Sequence, residues 1–396
     1  MNKVKNFNFT ITHKDINSKA RVAFLQTPHG IIKTPNFIFC ATKATLKSIT
    51  TTQASVAGAD IILSNTYHLM LQPGPSIIAL HGGLHKFLNW QGPILTDSGG
   101  FQIFSLGHGN VAKEIKSNRK LTKKKPNVYI NELGVWFKSH INGKNYLLTP
   151  ERSINIQKKL GADLVMVLDE CTPFHASQSY TAYSMELSHR WAIRSYKEFI
   201  KNQNSLQALY GIVQGGVYQE LRKTSANFIC EQPFFGQAIG GSLGGSKNEM
   251  QNVVTMTCKF LDPNRPTHLL GIGGVEDFWH GVQEGIDTFD CTHPTRLARH
   301  GGALVSRTIG EGKDHLNIKN QRFSKDINPI ETKCSCYTCN YYTRSYIHHL
   351  FKAKEFLAGQ LITIHNISFM MRLAKYIRKS IEDGLFLAKK KEYLSQ

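Results

Sequence analysis

Three cysteines within six residues, Cys334, Cys336 and Cys339, are the densest chemistry in the chain. Thiolates at C-x-C-x2-C spacing suit zinc, and a reducing compartment favours metal over disulfide for such a cluster. His365, in Thr363-Ile-His365-Asn, can supply the fourth ligand, with His348 and His349 competing on spacing alone. Three sulfurs and one imidazole close a tetrahedral shell, so the metal would be structural and a zinc hydrolase is excluded.

Two carboxylates carry the second kind of chemistry. Asp97 stands in Leu95-Thr-Asp97-Ser98-Gly99-Gly100-Phe101-Gln102, where two glycines let backbone approach a ligand and Phe101 offers a stacking face. A polar turn over a buried Phe fits the same residues. Asp290, in Asp287-Thr-Phe-Asp290-Cys291, precedes Thr295-Arg296-Leu297-Ala298-Arg299. One carboxylate to attack and another to move a proton is the arrangement of covalent glycosyl transfer, and Arg296 and Arg299 can grip phosphate beside it.

These residues need elements to converge them. Short apolar runs at 61–65, 93–97, 164–169, 209–214, 237–241, 268–271 and 288–290 each end in a polar residue or glycine. Stretches of helical spacing, such as 150–160 and 179–199, lie between them. Alternating strands and helices predict a parallel sheet, and seven or eight units fit a (β/α)8 TIM barrel whose active site sits at the C-terminal strand ends. A doubly wound sheet is the rival; functional residues at nearly every strand end favour the barrel. No G-x-G-x-x-G or Walker loop is present, since Gly271-Ile-Gly273-Gly274 is followed by Glu276 where the last glycine would stand. The whole chain, 1–396, is expected as one catalytic barrel domain, with a zinc-binding subdomain at 313–370 and a Lys-rich insert at 111–127.

Charge indicates the partner. The 396 residues hold 48 Lys+Arg against 28 Asp+Glu, a net +20, of which the 111–127 insert carries +6. Such a surplus attracts a polyanion, and nucleic acid leads. At 41% hydrophobic the chain can bury a large core, and no run approaches the roughly 18 apolar residues of a membrane helix. The polar-apolar alternation of the N-terminus lacks the form of a signal peptide, so a cytoplasmic location is expected. Cys40, Cys230 and Cys258 read as buried small hydrophobes, while Cys171 and Cys291 flank the site.

Taken together, the motifs resemble those of the tRNA-guanine transglycosylases. They are Ser64-Asn-Thr-Tyr-His-Leu69, Asp97-Ser-Gly-Gly-Phe-Gln102, Leu168-Asp169-Glu-Cys171-Thr-Pro, Gly211-Ile-Val-Gln214-Gly-Gly216, Phe289-Asp290-Cys291, Pro294-Thr-Arg296 and the Cys3His set, in the family's order. The resemblance implies exchange of the wobble-position guanine of G-U-N anticodon tRNAs for a 7-deazaguanine. Asp290 matches the nucleophile that forms a covalent tRNA ester, and Asp97 the proton acceptor when the new base attacks. Ser98, Gly99, Gly100, Phe101, Asp169, Gln214, Gly241 and Gly244 match the base pocket. Gly271, Ile272, Gly273, Gly274, Val275, Glu276 and Asp277, with Thr295, Arg296, Leu297, Ala298 and Arg299, match the regions that hold RNA. One Zn2+ on Cys334, Cys336, Cys339 and His365 is implied, as is a homodimer with Tyr342, Tyr346 and His349 at its interface.

The chain departs from many bacterial relatives after the sixth strand. They read G-G-L-A-V-G-E, whereas here stands Gly240-Gly241-Ser242-Leu243-Gly244-Gly245-Ser246. Glycine at the valine position, which faces the 7-substituent, resembles the eukaryotic enzymes that accept queuine. The departure leans towards direct queuine salvage over use of the precursor 7-aminomethyl-7-deazaguanine. The alternative class, a non-catalytic tRNA-binding subunit of the same fold, requires damaged carboxylates, and both Asp97 and Asp290 are intact.

Overall fold

The computed structural model describes residues 6–107, 128–201, 206–241 and 243–395. Eight parallel strands close into a barrel: Asn36–Cys40, Ile62–Ser64, Ile94–Thr96, Leu164–Met166, Ala208–Val213, Gly236–Ile239, Thr267–Leu269 and Thr288–Cys291. The eighth strand pairs with the first, in the register Asp290↔Ile38, which seals the barrel. Seven strands match the apolar runs read from sequence. The additional one is Asn36–Cys40, whose residues NFIFC are buried throughout, as expected of a strand covered on both faces. The segment 111–127 and Ser242 lie outside the described residues.

Local sequence sets the helices between strands. Helix Pro150–Leu160 begins at Thr149, whose hydroxyl accepts from the Arg152 amide, has Pro at its first position and ends at Gly161 with φ +72°. Those are the start and stop signals that fix a helix independently of context. It buries Ile154, Ile156 and Leu160, and its polar Gln157 accepts from Thr96 Oγ1 and the Met166 amide, both at 3.0 Å. Gln157 thereby fixes the third and fourth strands from behind.

The N-terminal end of the barrel is closed by an antiparallel sheet of Asn8–Lys14, Arg21–Thr27 and Gly30–Thr34. Arg21 forms a two-pronged pair with buried Asp287, Nε to Oδ1 at 2.9 Å and Nη2 to Oδ2 at 2.5 Å. His29, at the hairpin tip, reaches Asp163 Oδ1 at 2.7 Å, and the His85 ring stacks on it with centroids 3.6 Å apart. A second antiparallel sheet, Val128–Asn131, Gly134–Lys138 and Asn145–Leu148, follows the third barrel strand. Its Phe137 and His140 pack on Tyr67, beside the C-terminal mouth.

Beyond the eighth strand, a smaller core gathers Ala298, Ile318, Phe323, Ile347 and Leu350 around the three cysteines. Helix Phe356–Glu382 joins the two cores: Leu361 and Ile362 belong to the smaller one, while Ile367, Met370 and Leu373 pack on the barrel. No helix among the described residues is long and apolar enough to cross a membrane.

Candidate active site

The third strand delivers Asp97 to the mouth. Its side chain accepts from the Thr66 amide at 2.8 Å on Oδ1 and from Asn65 Nδ2 on Oδ2. Ser153 Oγ donates to the Ser98 carbonyl at 2.7 Å and fixes the turn that follows. That turn requires glycine. Gly99 has φ +85°, and a Cβ on Gly100 would lie 2.8 Å from the Asp169 carbonyl oxygen. Burial drives the Asp97 carboxyl up to about 7, against donors from Thr66, Gln102 and Gly99 that favour its charged form. Both protonation states are then accessible at neutral pH, which a proton-transfer group needs.

Across the mouth, Asp169 accepts from Ser98 Oγ at 3.3 Å and from Gln214 Nε2 at 2.5 Å. Burial raises it to about 6. Gln214 Oε1 is buried and without a hydrogen-bond partner, and a Cβ at Gly241, where φ is +83°, would stand 2.4 Å from it. Buried Arg222 anchors these residues from beneath, donating to the carbonyls of Gly216, Val213 and Gly240 at 2.7, 3.1 and 2.8 Å. An acid, a carboxamide and a bare backbone thus line one wall, while Phe101, half exposed, stands on the rim. This set of donors and acceptors matches the edge of a purine-like base, and an exposed ring can stack on its face.

Asp290, in the eighth strand, is 8% exposed. Its Oδ1 accepts from the Gly271 amide at 3.0 Å and faces His268 Nε2 at 3.2 Å; its Oδ2 lies 3.7 Å from Cys40 Sγ. Burial and the neighbouring carboxylate push the Cys40 thiol well up, so it stays protonated. Cys40 is therefore in contact with a carboxylate of the site, which corrects its reading as a plain hydrophobe. Cys291 is partly buried and points a sulfur at the His293 amide, 3.3 Å away.

The glycine-rich loop after the sixth strand takes a specific form. Ser246 caps helix Lys247–Cys258 by accepting from the Glu249 amide. Glu249 reaches back to the Gly245 amide at 2.8 Å, and a Cβ on Gly244, where φ is +115°, would lie 2.6 Å from its carboxylate. Phe174 covers Gly245. The 271–277 stretch runs from Gly271 at Asp290 through Ile272, Gly273 and Gly274 into helix Val275–Gln283. There Glu276 pairs with Lys247 at 2.7 Å and Arg307 at 3.3 Å. In helix His293–Arg299, Thr295 and Ala298 are buried, Leu297 is partly buried, and Arg296 is exposed; Arg299 donates to the Thr295 carbonyl.

The buried Cys334, Cys336 and Cys339 sulfurs lie 3.7, 3.6 and 3.3 Å from His365 Nδ1. His348 instead bonds the Ile318 carbonyl and His349 is exposed, so His365 is the histidine brought to the three sulfurs. His365 Nε2 faces the Leu304 carbonyl at 2.7 Å, which places the proton there and leaves Nδ1 free to ligate. The cluster can hold a metal ion.

A closed parallel barrel with buried acids at the carboxyl ends of its strands is the architecture of a (β/α)8 enzyme. A family model described as queuine tRNA-ribosyltransferase matches residues 15–396. Curated proteins bearing that description align along almost the whole chain. The one from Roseiflexus sp. (strain RS-1) is 47% identical over 396 residues, covering 98% of each chain. The one from Thermoanaerobacter sp. (strain X514) is 45% identical over 389 residues, covering 98% of this chain and 97% of the relative. A relative from Vibrio atlanticus (strain LGP32) is 43% identical over 374 residues, covering 94% and 92%. The chain belongs to the queuine tRNA-ribosyltransferase family and is a transferase of the tRNA-guanine transglycosylase class.

Sequence reading missed four participants. Asn65 follows the second strand as the cap of helix Thr66–Leu71, Cys40 ends the first, Arg222 lies within a helix and His268 within a strand. Asn65 carried a signal, as a polar residue closing an apolar run; the other three resemble ordinary core residues in one dimension.

Proposed function

We propose that this enzyme exchanges guanine 34 of tRNAs with a G-U-N anticodon, those for Asp, Asn, His and Tyr, for a 7-deazaguanine through a covalent aspartyl-tRNA intermediate. The observation that carries the reading is the convergence of Asp97, Asp169 and Asp290 at one barrel mouth, with Oδ2 of Asp290 met by the weakly donating Cys40 thiol at 3.7 Å. Asp290 attacks C1′ of the ribose as the bond to N9 of guanine breaks; the electron pair of that bond leaves on N9, which takes a proton from Asp97 in its protonated form. Asp97, poised near neutrality, accepts the N9 proton of the incoming base as that base attacks C1′ and frees Asp290. Asp169, Gln214 and Gly241 read the base edge, with Ser98, Gly99 and Gly100 shaping the floor and Phe101 stacking. The RNA around the flipped nucleotide lies along 271–277 and 295–299, where exposed Arg296 suits a phosphate.

Zinc is the metal we assign to Cys334, Cys336, Cys339 and His365. Tetrahedral Zn–S and Zn–N bonds of about 2.3 and 2.0 Å separate sulfur from nitrogen by roughly 3.6 Å, as found in this cluster. With four protein ligands it supplies folding energy. The incoming base is queuine in this reading, because Gly244 stands where many bacterial relatives carry valine and so resembles the eukaryotic enzymes that accept queuine. A homodimer forms through the tyrosine-rich face of the metal module, where Tyr342 and Tyr346 stack and Tyr341 is 71% exposed. Location in the cytoplasm follows from a tRNA substrate.

The test is release of labelled guanine from preloaded tRNA with queuine or 7-aminomethyl-7-deazaguanine offered separately, and Asp290→Ala as control. Release with queuine, faster than with the precursor, is expected. Faster release with the precursor overturns the base assignment; release by neither overturns the exchange itself.

A further inference from the structure

We infer that His268 is a positioning residue for Asp290, and that with the Gly271 amide it reserves Oδ2 as the attacking oxygen and supports the carboxylate when it leaves. The inference rests on Asp290 being the nucleophile. His268 is 1% exposed in the seventh strand, opposite Thr288 in the register of the eighth. Its Nδ1 lies 2.9 Å from Thr288 Oγ1 and its Nε2 3.2 Å from Asp290 Oδ1. A carboxylate only accepts, so the proton facing it belongs to Nε2, and the Thr288 hydroxyl donates to Nδ1. The tautomer is thus fixed by two partners on one strand.

The two oxygens of Asp290 are therefore unequal. Oδ1 receives the Nε2–H of His268 and the Gly271 amide, whereas Oδ2 meets the Cys40 thiol at 3.7 Å, a weak donor. When Oδ2 bonds to C1′, the C1′–N9 electron pair leaves with the base and Oδ1 becomes the ester carbonyl, still held by the same two donors. In the second half-reaction the Oδ2–C1′ bond breaks, its electron pair returns to Asp290, and the new base completes its bond to C1′ as its N9 proton passes to Asp97. Charge then reappears on the carboxylate, where donors to Oδ1 stabilise it. An oxocarbenium-like transition state leaves that carboxylate nearly free, so the donors matter most for breakdown of the ester and little for its formation.

This yields a signature that misplacement of Asp290 cannot give. Loss of a hydrogen bond to a charged group slows breakdown on the order of 10- to 100-fold in His268→Ala. Covalent enzyme-tRNA, followed on denaturing gels in single turnover, should form at close to the wild-type rate and then accumulate. His268→Gln, whose amide can donate from a similar place, should restore breakdown to within a few-fold. Thr288→Val, nearly isosteric, leaves the imidazole in place without its orienting hydroxyl and should slow breakdown by a smaller factor; it tests the same idea should His268→Ala fold poorly. Slow formation without accumulation, or unchanged breakdown in both His268→Ala and Thr288→Val, overturns the assignment. Asp290→Ala separates the two levels: an adduct or base exchange in that variant removes Asp290 as nucleophile and this inference with it. An inert Asp290→Ala beside normal breakdown in both His268→Ala and Thr288→Val removes only the role of His268.

Discussion

Replacing Gln102 by methionine removes an N–H donor from Asp97 while nearly preserving side-chain length. Gln102 is one of the donors that favour the charged form of this carboxyl, which burial has already raised to about 7. A hydrogen bond to a charged group contributes about 1.5–3 kcal/mol, and each pKa unit corresponds to about 1.4 kcal/mol. Gln102 is only partly buried, so the lower end applies and the Asp97 midpoint should move from about 7 to about 8. At pH 7 the ionised share of Asp97 then falls from about one half to about one tenth, a fivefold loss of the proton acceptor. At pH 6 the loss approaches tenfold, and by pH 9 it vanishes. The assay is capture of a 7-deazaguanine by preformed covalent tRNA intermediate across pH 5.5–9.5, with Asp97→Asn as the flat, slow reference. A loss uniform in pH, or a midpoint that stays near 7, refutes Asp97 as the acceptor tuned by its donors.

Four further outcomes follow from the same geometry. Asp97 binds its proton more tightly in the folded chain than in the unfolded one, so the favourable contribution present below about pH 4 is lost as pH rises through about 7. Asp97→Asn should therefore melt higher than the parent at pH 7.5, by roughly 1–3 kcal/mol, with the gap closing towards pH 4 in calorimetry. Arg222→Met removes the guanidinium donor from the carbonyls of Gly216 and Gly240 and leaves Val213 only the Gly240 amide, and about 2–4 kcal/mol of stability should go with a raised KM for the base, measured by guanine exchange. Chelation of a metal held by Cys334, Cys336, Cys339 and His365, followed by circular dichroism and metal analysis, should melt the smaller core around the cluster first and lower affinity for tRNA. Replacing the lysines of 111–127 by serine should raise KM for tRNA, flatten its salt dependence and leave kcat nearly unchanged; an unmoved KM at physiological salt rejects a phosphate-binding role for them.

How much of this was legible in one dimension depends on where each residue sits in its element. Asp97, Asp169 and Gln214 follow apolar strands as abrupt polar endings, so the pattern that shows the strand also shows the residue. Helix Pro150–Leu160 was readable to the residue because Thr149, Pro150 and Gly161 carry its boundaries locally. The first strand, NFIFC, offers no polar ending, and the two antiparallel sheets depend on pairings that no short window contains. His268 and Arg222 are harder still. A histidine inside a strand and an arginine inside a helix gain their meaning only when the eighth strand brings Asp290 beside one and the carbonyls of Val213, Gly216 and Gly240 close over the other.

One side chain beside the Cys3His cluster ties it to the helix that follows Asp290. Asn366 follows His365 on helix Phe356–Glu382, and its amide donates to the carbonyls of Pro294 and Gly302 at 2.9 and 3.0 Å while its oxygen accepts from the Leu304 amide at 2.8 Å. Leu304 in turn receives His365 on its carbonyl. A metal held by His365 would therefore fix the start of helix His293–Arg299, which carries Arg296 and Arg299 and begins two residues after the strand that holds Asp290. Asn366→Ala should leave metal content unchanged yet raise KM for tRNA several-fold, because the helix loses its carbonyl anchor while the four ligands remain. Loss of metal in that variant would show instead that Asn366 serves the ligand sphere, and would sever the argued path from metal to RNA.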